Sequence, residues 1–184
     1  MDELMELKER LLRERPQDWD AFPDLGLYMD QIISYMPRQL IHYGEGEALT
    51  PAMVNNYSKD GMLPRAEGKR YSRIHLAYLT AICSLKQVLS VRSVSRFIST
   101  GARGRDAEAL YAYFTRELDK ALTETGQTLD ENTSEADLPK LALGLALRSY
   151  ADRLACERVL DIMHQRTTQD KPREKGKKEG KSEN

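Results

Sequence analysis

Residues 49–73 combine side chains that can contact DNA bases with side chains that can hold phosphates. The segment reads LTPAMVNNYSKDGMLPRAEGKRYSR. An Asn side chain can bind the edge of adenine with one donor and one acceptor, and Lys or Arg can bind phosphate oxygens. These residue types therefore predict contact with double-stranded DNA. The predicted contact residues are Thr50, Ala52, Asn55, Asn56, Lys59, Arg65, Lys69, Arg70, Tyr71 and Arg73.

A short helix positions the first of these side chains. Thr50 can cap a helix, Pro suits the next position, and Gly61 can supply a left-handed ending. The pattern predicts a helix from residue 51 to residue 59 or 60, which we interpret as a recognition helix spanning 50–60. Apolar residues recur at helical spacing, so we expect them to face a core. Those residues are Met53, Val54 and Tyr57, which leaves Ala52, Asn55, Asn56 and Lys59 pointing outward.

The basic residues that follow predict a small two-stranded β wing spanning 64–73, with its turn at residues 66–68. We expect Lys69 and Arg70 on the second strand and Arg73 beside it, facing phosphates. Successive residues of a strand point to opposite sides. Tyr71 therefore either presents its hydroxyl to the DNA backbone or packs under the wing, and both interpretations stay open.

The same stretch resembles the winged helix-turn-helix domains of MerR-type proteins. In those domains a capped recognition helix ends in an aromatic residue, three residues, Gly and two apolar residues. Pro, a wing and a basic-aromatic strand then follow. The matching residues here are Thr50, Tyr57, Gly61-Met62-Leu63, Pro64 and Lys69-Arg70-Tyr71. The resemblance implies a mainly helical, all-α fold with a small β wing, followed by C-terminal helices.

A second resemblance is to the bacterial family called domain of unknown function 1836, whose members look MerR-like. It is carried by LGLYMDQIISYM, LTPAMVNNYSKDGMLP, KRYSRIHLAYL and SLKQVLSV, and it spans residues 24–100. MerR-type proteins usually carry Arg and an aromatic residue where this chain has Asn55 and Asn56. The difference implies either an altered base preference or a loss of DNA binding.

Charge is distributed unevenly along the 184 residues, although the net charge is only -1. Residues 50–105 hold ten Lys and Arg against two Asp and Glu, a local charge of +8. The block before it, 1–49, has five basic and eleven acidic residues, and the block after it, 106–170, has seven and thirteen. A basic block between two acidic ones is typical of a localised nucleic-acid footprint. Chance clustering on a mixed surface is the alternative.

The remaining patterns predict four segments. An amphipathic helix and a turn occupy 1–23, and the MerR-like domain occupies 24–105, with residues 73–89 as its central core helix. Helices that serve dimerisation or effector sensing fill 106–170, and their last helix has a first half so apolar that other helices or a partner must bury it. A charged, disordered tail occupies 171–184.

Several classes of function lack support in the sequence. His42, His75 and His164 are scattered, and we expect a surface or capping role for His75. We predict that the protein is not an enzyme and has no cofactor or metal. Cys83 and Cys156 form no zinc motif, so we expect buried thiols in a reducing cytoplasm. No apolar run approaches the length of a membrane span.

The predicted function is a sequence-specific DNA-binding transcription regulator that acts as a homodimer in the cytoplasm. A dimer is expected because one short helix reads too few base pairs for useful specificity. An unknown small-molecule or protein effector is a further expected partner. The alternative is a non-enzymatic protein interaction module whose basic face meets an acidic partner.

Overall fold

The structure of the protein is a computed structural model that describes residues 2–40, 48–101 and 106–169. Within these ranges the chain forms seven α-helices and three short 3-10 turns, and the prediction of an all-α fold is confirmed. None of the described helices combines the length and apolar character that crossing a membrane would need. The tail predicted at 171–184 lies outside the described residues. The helices are α1 (Asp2–Arg13), α2 (Met29–Tyr35), α3 (Pro51–Lys59), α4 (Arg73–Leu85), α5 (Val91–Gly101), α6 (Ala107–Gln127) and α7 (Leu138–Gln169).

Helix α4 lies at the centre of the hydrophobic core, as its apolar sequence predicts. Leu76, Leu79 and Ile82 are fully buried. Thr80 is also fully buried, and its hydroxyl donates to the carbonyl of Leu76 at 2.9 Å, which satisfies the only polar atom that its side chain brings inside. The helix ends at residue 85, four residues earlier than expected, and a turn continues to the buried Leu89.

Side chains from before residue 50 and after residue 105 also belong to this hydrophobic core. Tyr111 of α6 lies against Phe22, with 5.1 Å between the ring centroids, and its hydroxyl donates to the carbonyl of Gln17 at 2.7 Å. Burial raises the pKa of Tyr111 because the charged phenolate would lose its hydration. The aromatic turn at residues 19–22 therefore packs against helix α6, which in turn packs against α4.

The prediction of a two-stranded β wing is wrong. Across the described residues the chain forms no β-strand, and the 64–73 segment makes only a tight turn closed by an isolated bridge between Glu67 and Arg70. The central residues of the turn, Gly68 and Lys69, have φ angles of 55° and 63°. No ladder forms across the turn because Tyr71 pairs with Leu27 instead, and Ser72 already caps the next helix.

The apolar residues from Leu25 onward are spaced as in a helix, but α2 begins only at Met29. The preceding residues are extended because Leu27 pairs with Tyr71 through two main-chain hydrogen bonds of 2.8 and 2.9 Å. Pairing between such distant residues overrides the local helical pattern. At the other end Pro37 falls in a 3-10 turn, Met36–Gln39, so the helix ends close to where Pro predicts.

Burial corrects two further expectations and decides between the two roles expected for His75. Cys156 is exposed, whereas Cys83 is largely buried and burial raises the pKa of its thiol to about 11. The apolar first half of α7 stays exposed in the described part of the chain, with Leu143 and Leu147 60% and 57% exposed. His75 is buried rather than on the surface, although its capping role is confirmed.

The His75 ring connects the start of α4 to the turn that precedes it. Its Nδ1 accepts from the main-chain N–H of Ser72 at 3.0 Å, so its proton belongs on Nε2. The ring also packs edge-on against Tyr71, at 5.2 Å between centroids. Burial lowers the pKa of His75 below its usual 6.5, and the nearby main chain of Arg65 and Pro64 offsets only part of that effect.

The buried His75 predicts a loss of stability in mild acid. Below about pH 6.5 the unfolded chain binds a proton that the folded chain resists, so the free energy of unfolding falls by up to roughly 1.4 kcal/mol per pH unit. In His75→Gln the amide oxygen can still accept from Ser72, but nothing titrates at this position. Thermal unfolding of both proteins from pH 7.5 to 5.5 should show a smaller decline for the variant. Parallel declines would contradict this role of His75.

Candidate nucleic-acid interface

Helix α3 presents one polar, exposed face and one buried face, and its predicted bounds are confirmed. The hydroxyl of Thr50 accepts from the N–H of Met53 at 3.3 Å, and Gly61 ends the helix with a φ of 70°. Val54 and Tyr57 are buried in the core. The exposed face consists of Ala52, Asn55, Asn56 and Lys59.

The turn after α3 is held beside that face by its own main chain. The N–H groups of Met62 and Leu63 both donate to the carbonyl of Tyr57, at 2.9 and 3.1 Å, and both side chains are buried. The hydroxyl of Ser58 donates to the carbonyl of Pro64 at 3.4 Å. These contacts seat residues 62–64 on the end of α3, so the basic residues of the turn follow closely behind the helix.

Four of the five predicted basic contacts are exposed, namely Arg70, which is described below, and three others. Lys59 lies at the end of α3, Arg65 just after Pro64, and Lys69 at the tip of the turn. Within the described residues none of the three forms an ion pair. Asp60 and Glu67 are the acidic residues of the same segment, and both are exposed. The helix and turn therefore form a surface whose cations outnumber its anions.

Arg70, in contrast, is held by the protein itself. Its guanidinium lies 4.8 Å from the centre of the Tyr28 ring and donates to the Tyr28 hydroxyl at 3.0 Å. It also donates to the carbonyl of Gly26 at 3.4 Å. A Cβ at Gly26 would lie 2.9 Å from the Cβ of Arg70, so these two segments of the chain lie too close together for a residue larger than Gly.

Arg73 and Tyr71 are likewise committed to the fold. The Arg73 guanidinium pairs with Asp24 at 2.7 Å and lies 5.9 Å from the centre of the Trp19 ring. The pairing neutralises its charge locally. Tyr71 is 7% exposed and packs beneath the turn against His75, so of its two possible roles the structure places the ring in the core.

The partners of these residues were not identified from the sequence. Tyr28 and Asp24 stand 42 and 49 residues before the arginines that they hold, so no local spacing connects them. The Leu27–Tyr71 pairing brings the two segments together. The apolar residues from Leu25 onward are spaced like those of a helix. This pattern hid the extended stretch before α2 that pairs with Tyr71.

A second feature with room for a ligand lies away from this surface. Helices α4, α5 and α6 border an apolar groove of about 540 Å³, a volume that suits a small molecule. Its walls combine aliphatic residues with five aromatic ones, and Glu117 is the charged residue that lines it. Elsewhere in the described ranges no cluster of His, Cys, Asp or Glu could hold a metal ion. The small-molecule or protein effector expected from the sequence stays a prediction. The aromatic residues are Tyr78, Phe97, Tyr111, Tyr113 and Phe114.

Comparison with known proteins places the chain in a family. The family model described as Domain of unknown function (DUF1836) matches residues 17–114, which is more than half of the chain. The protein therefore belongs to this family. The match covers α2 to α5, the turn and the start of α6, and so includes the whole surface described above. No curated protein and no solved structure matches the chain.

Because of its contacts, the Arg70 side chain should contribute more to the free energy of unfolding than the basic residues beside it. Arg70→Ala removes the stacking on Tyr28 and two hydrogen bonds, and should lower the free energy of unfolding by about 1 kcal/mol. Arg65→Ala removes a comparable exposed guanidinium and should change it by less than about 0.5 kcal/mol. Urea unfolding measures both values. Equal effects would show that the Tyr28 contact does not stabilise the turn.

Proposed function

We propose that the protein is a sequence-specific DNA-binding transcription regulator whose helix α3 enters the major groove. The observation that carries this proposal is the exposed face of α3, with Asn55, Asn56 and Lys59 beside the exposed cations of the following turn. The +8 charge of residues 50–105 and the MerR-like pattern of the same segment support it. The proposed location is the cytoplasm, and the proposed role requires no enzymatic activity.

The role proposed for each side chain follows from whether it is already held by contacts within the protein. Asn55 and Asn56 reach base edges, where an Asn amide can bind adenine with two hydrogen bonds. Lys59, Arg65 and Lys69 bind phosphates and set the position of the helix. Arg70 and Arg73 act indirectly, because their contacts with Tyr28 and Asp24 hold the turn in place.

The proposed regulator acts as a homodimer. Helix α3 has nine residues and is about 14 Å long, so it spans roughly the width of one major groove. One such contact distinguishes few base pairs, and two copies on a symmetric site multiply the discrimination. An effector that shifts DNA affinity is part of the same proposal, with the apolar groove among α4, α5 and α6 as its expected site.

The alternative function is a protein interaction module that uses the same surface. The observation that favours it is the pair Asn55 and Asn56, which stands where MerR-type proteins usually carry Arg and an aromatic residue. In this alternative Lys59, Arg65 and Lys69 meet acidic side chains of a partner protein. Both functions use the same cations, so only the ligand and its sequence dependence distinguish them.

Loss of the exposed cations should weaken DNA binding and its salt dependence. Each phosphate contact contributes about one unit to the slope of log affinity against log salt concentration. Lys59→Ala and Lys69→Ala should each flatten the slope by about one and lower affinity for all sequences alike. Lys120→Ala, an exposed lysine on α6, is the matched control. Fluorescence anisotropy with a labelled duplex from 50 to 200 mM salt gives the slopes.

Loss of the asparagines should instead reduce discrimination between sequences. The purified protein first selects its site from fragmented genomic DNA, and the regulator proposal expects an enriched, two-fold symmetric sequence. Asn55→Ala and Asn56→Ala should then each weaken binding to that site by about 1–3 kcal/mol and leave binding to unrelated DNA unchanged. Retention without any enriched sequence, or no retention, would exclude the regulator and favour the interaction module.

A further inference from the structure

The apolar groove bordered by α4, α5 and α6 has few polar groups to offer a ligand. The hydroxyl of Tyr111 donates to the carbonyl of Gln17 at 2.7 Å. The hydroxyl of Ser84 donates to the carbonyl of Thr80 at 2.9 Å. Both hydroxyl protons are thus used within the protein. Contact with a ligand must therefore come mainly from aliphatic and aromatic side chains, which favours a ligand with an apolar body.

The groove has the size of a small-molecule site. Ala77 and Ala81 lie one turn apart on α4, and they line the groove together with the larger Leu110 and Phe114 of α6. The small side chains on one wall leave space that the large ones on the other do not fill. The resulting volume of about 540 Å³ lies within the range of roughly 300–1,000 Å³ that is typical of ligand pockets.

Among the described residues that line the groove, Glu117 is the only charged one. It follows Tyr113 by four positions and Phe114 by three, so its carboxylate shares one part of the α6 surface with both rings. A cation placed there can contact an aromatic face and the carboxylate together.

Arg116 is the cation that the protein itself places at this part of α6. Its guanidinium lies 5.2 Å from the centre of the Tyr113 ring and 3.4 Å from the Glu117 carboxylate. The side chains of Arg116 and Glu117 are 69% and 49% exposed, so their ion pair is weak and leaves the carboxylate accessible. The arrangement favours positive charge at this end of the groove.

We propose that the groove binds a ring-bearing molecule with one positive charge, whose rings pack among the aromatic side chains and whose charge lies beside Glu117. An anion of the same shape is disfavoured, because the lining holds a carboxylate and no cation to pair with a negative charge. This site gives the expected effector a chemical class, and its role as an effector rests on the proposed function.

The groove also adjoins the surface proposed to contact DNA. Tyr78 and Ile98 line both the groove and a second cleft of about 570 Å³, whose walls include Lys59 and Arg65. A ligand that displaces Tyr78 changes the surroundings of these two cations. Binding in the groove should therefore alter the affinity for DNA, and DNA should alter the affinity for the ligand by the same factor.

The first test is the binding of tetraphenylphosphonium and tetraphenylborate to the full-length protein in sodium buffer without DNA, by isothermal titration calorimetry. The two ions share one shape and carry opposite charges. The cation should bind at least about tenfold more tightly than the anion. Glu117→Gln should weaken binding of the cation about threefold or more and leave binding of the anion no weaker. Equal affinities for the two ions, or an unchanged affinity for the cation in Glu117→Gln, would overturn the proposal.

Two further variants test the position of the bound cation. Glu124→Gln removes an exposed carboxylate of α6 outside the groove and should leave both affinities unchanged. Ala121 lines the groove from an exposed position, so Ala121→Trp should fill the groove without disturbing the core and weaken binding of the cation at least about fivefold. Circular dichroism checks that each variant is folded. Undiminished binding in Ala121→Trp would place the cation elsewhere and overturn the site.

The effect on DNA is measured separately, by fluorescence anisotropy with a labelled duplex at constant salt. Saturating tetraphenylphosphonium should change the DNA affinity of the wild type at least about fivefold. In Glu117→Gln the same change should need a higher concentration of the cation. If the cation binds in the groove and DNA affinity stays constant, the effector role is overturned and the site stands. If the protein binds no DNA, the proposed function fails, and calorimetry still decides the site.

Discussion

Two main-chain hydrogen bonds between Leu27 and Tyr71 join the segment before α2 to the segment before α4. The rest of the proposed binding surface depends on this pairing. It brings Gly26 against Arg70 and brings Tyr28 within reach of the same guanidinium. The turn between α3 and α4 is closed by a single bridge of its own, between Glu67 and Arg70, and a distant part of the chain supplies the further support.

The contacts of Arg70 and Arg73 affect how much positive charge the surface presents. Arg70 and Arg73 contact Tyr28 and Asp24, but only the carboxylate of Asp24 offsets a charge, and Arg70 stays exposed together with Lys59, Arg65 and Lys69. The local charge of +8 overstates what this surface offers to a polyanion, because five of the ten basic residues of 50–105 lie after α4 ends, at positions 86–105. The exposed cations of this surface all lie between the end of α3 and the start of α4. Such a distribution favours phosphate contacts on one side of the helix rather than along its whole length.

Helix α7 is apolar on nearly every side, but only part of it is buried in the described structure. Leu160 and Met163 pack against the core of the protein, whereas Leu143, Leu147, Tyr150 and Leu154 are at least half exposed. The same helix therefore combines a core-forming end with an exposed apolar stretch.

The sequence by itself determined the helices and much of the exposed face. Thr50, Pro51 and Gly61 define both ends of α3 through backbone chemistry that needs no distant partner, and the spacing of Val54 and Tyr57 decides which side is buried. Local chemistry also caps α6, since the carboxylate of Asp106 accepts from the N–H of Ala109 at 2.7 Å. The DUF1836 family was also recognisable from sequence alone.

Only the tertiary structure decided the form of the turn and the roles of its arginines. A β wing and a tight turn can share one local sequence, because both need Gly68 and the basic residues after it. What distinguishes them is whether Tyr71 pairs within the hairpin or with Leu27, 44 positions away, and no local propensity encodes that choice. The burial of His75 and the exposure of Leu147 follow the same rule. Each depends on which other element lies opposite, and that is a property of the assembled fold.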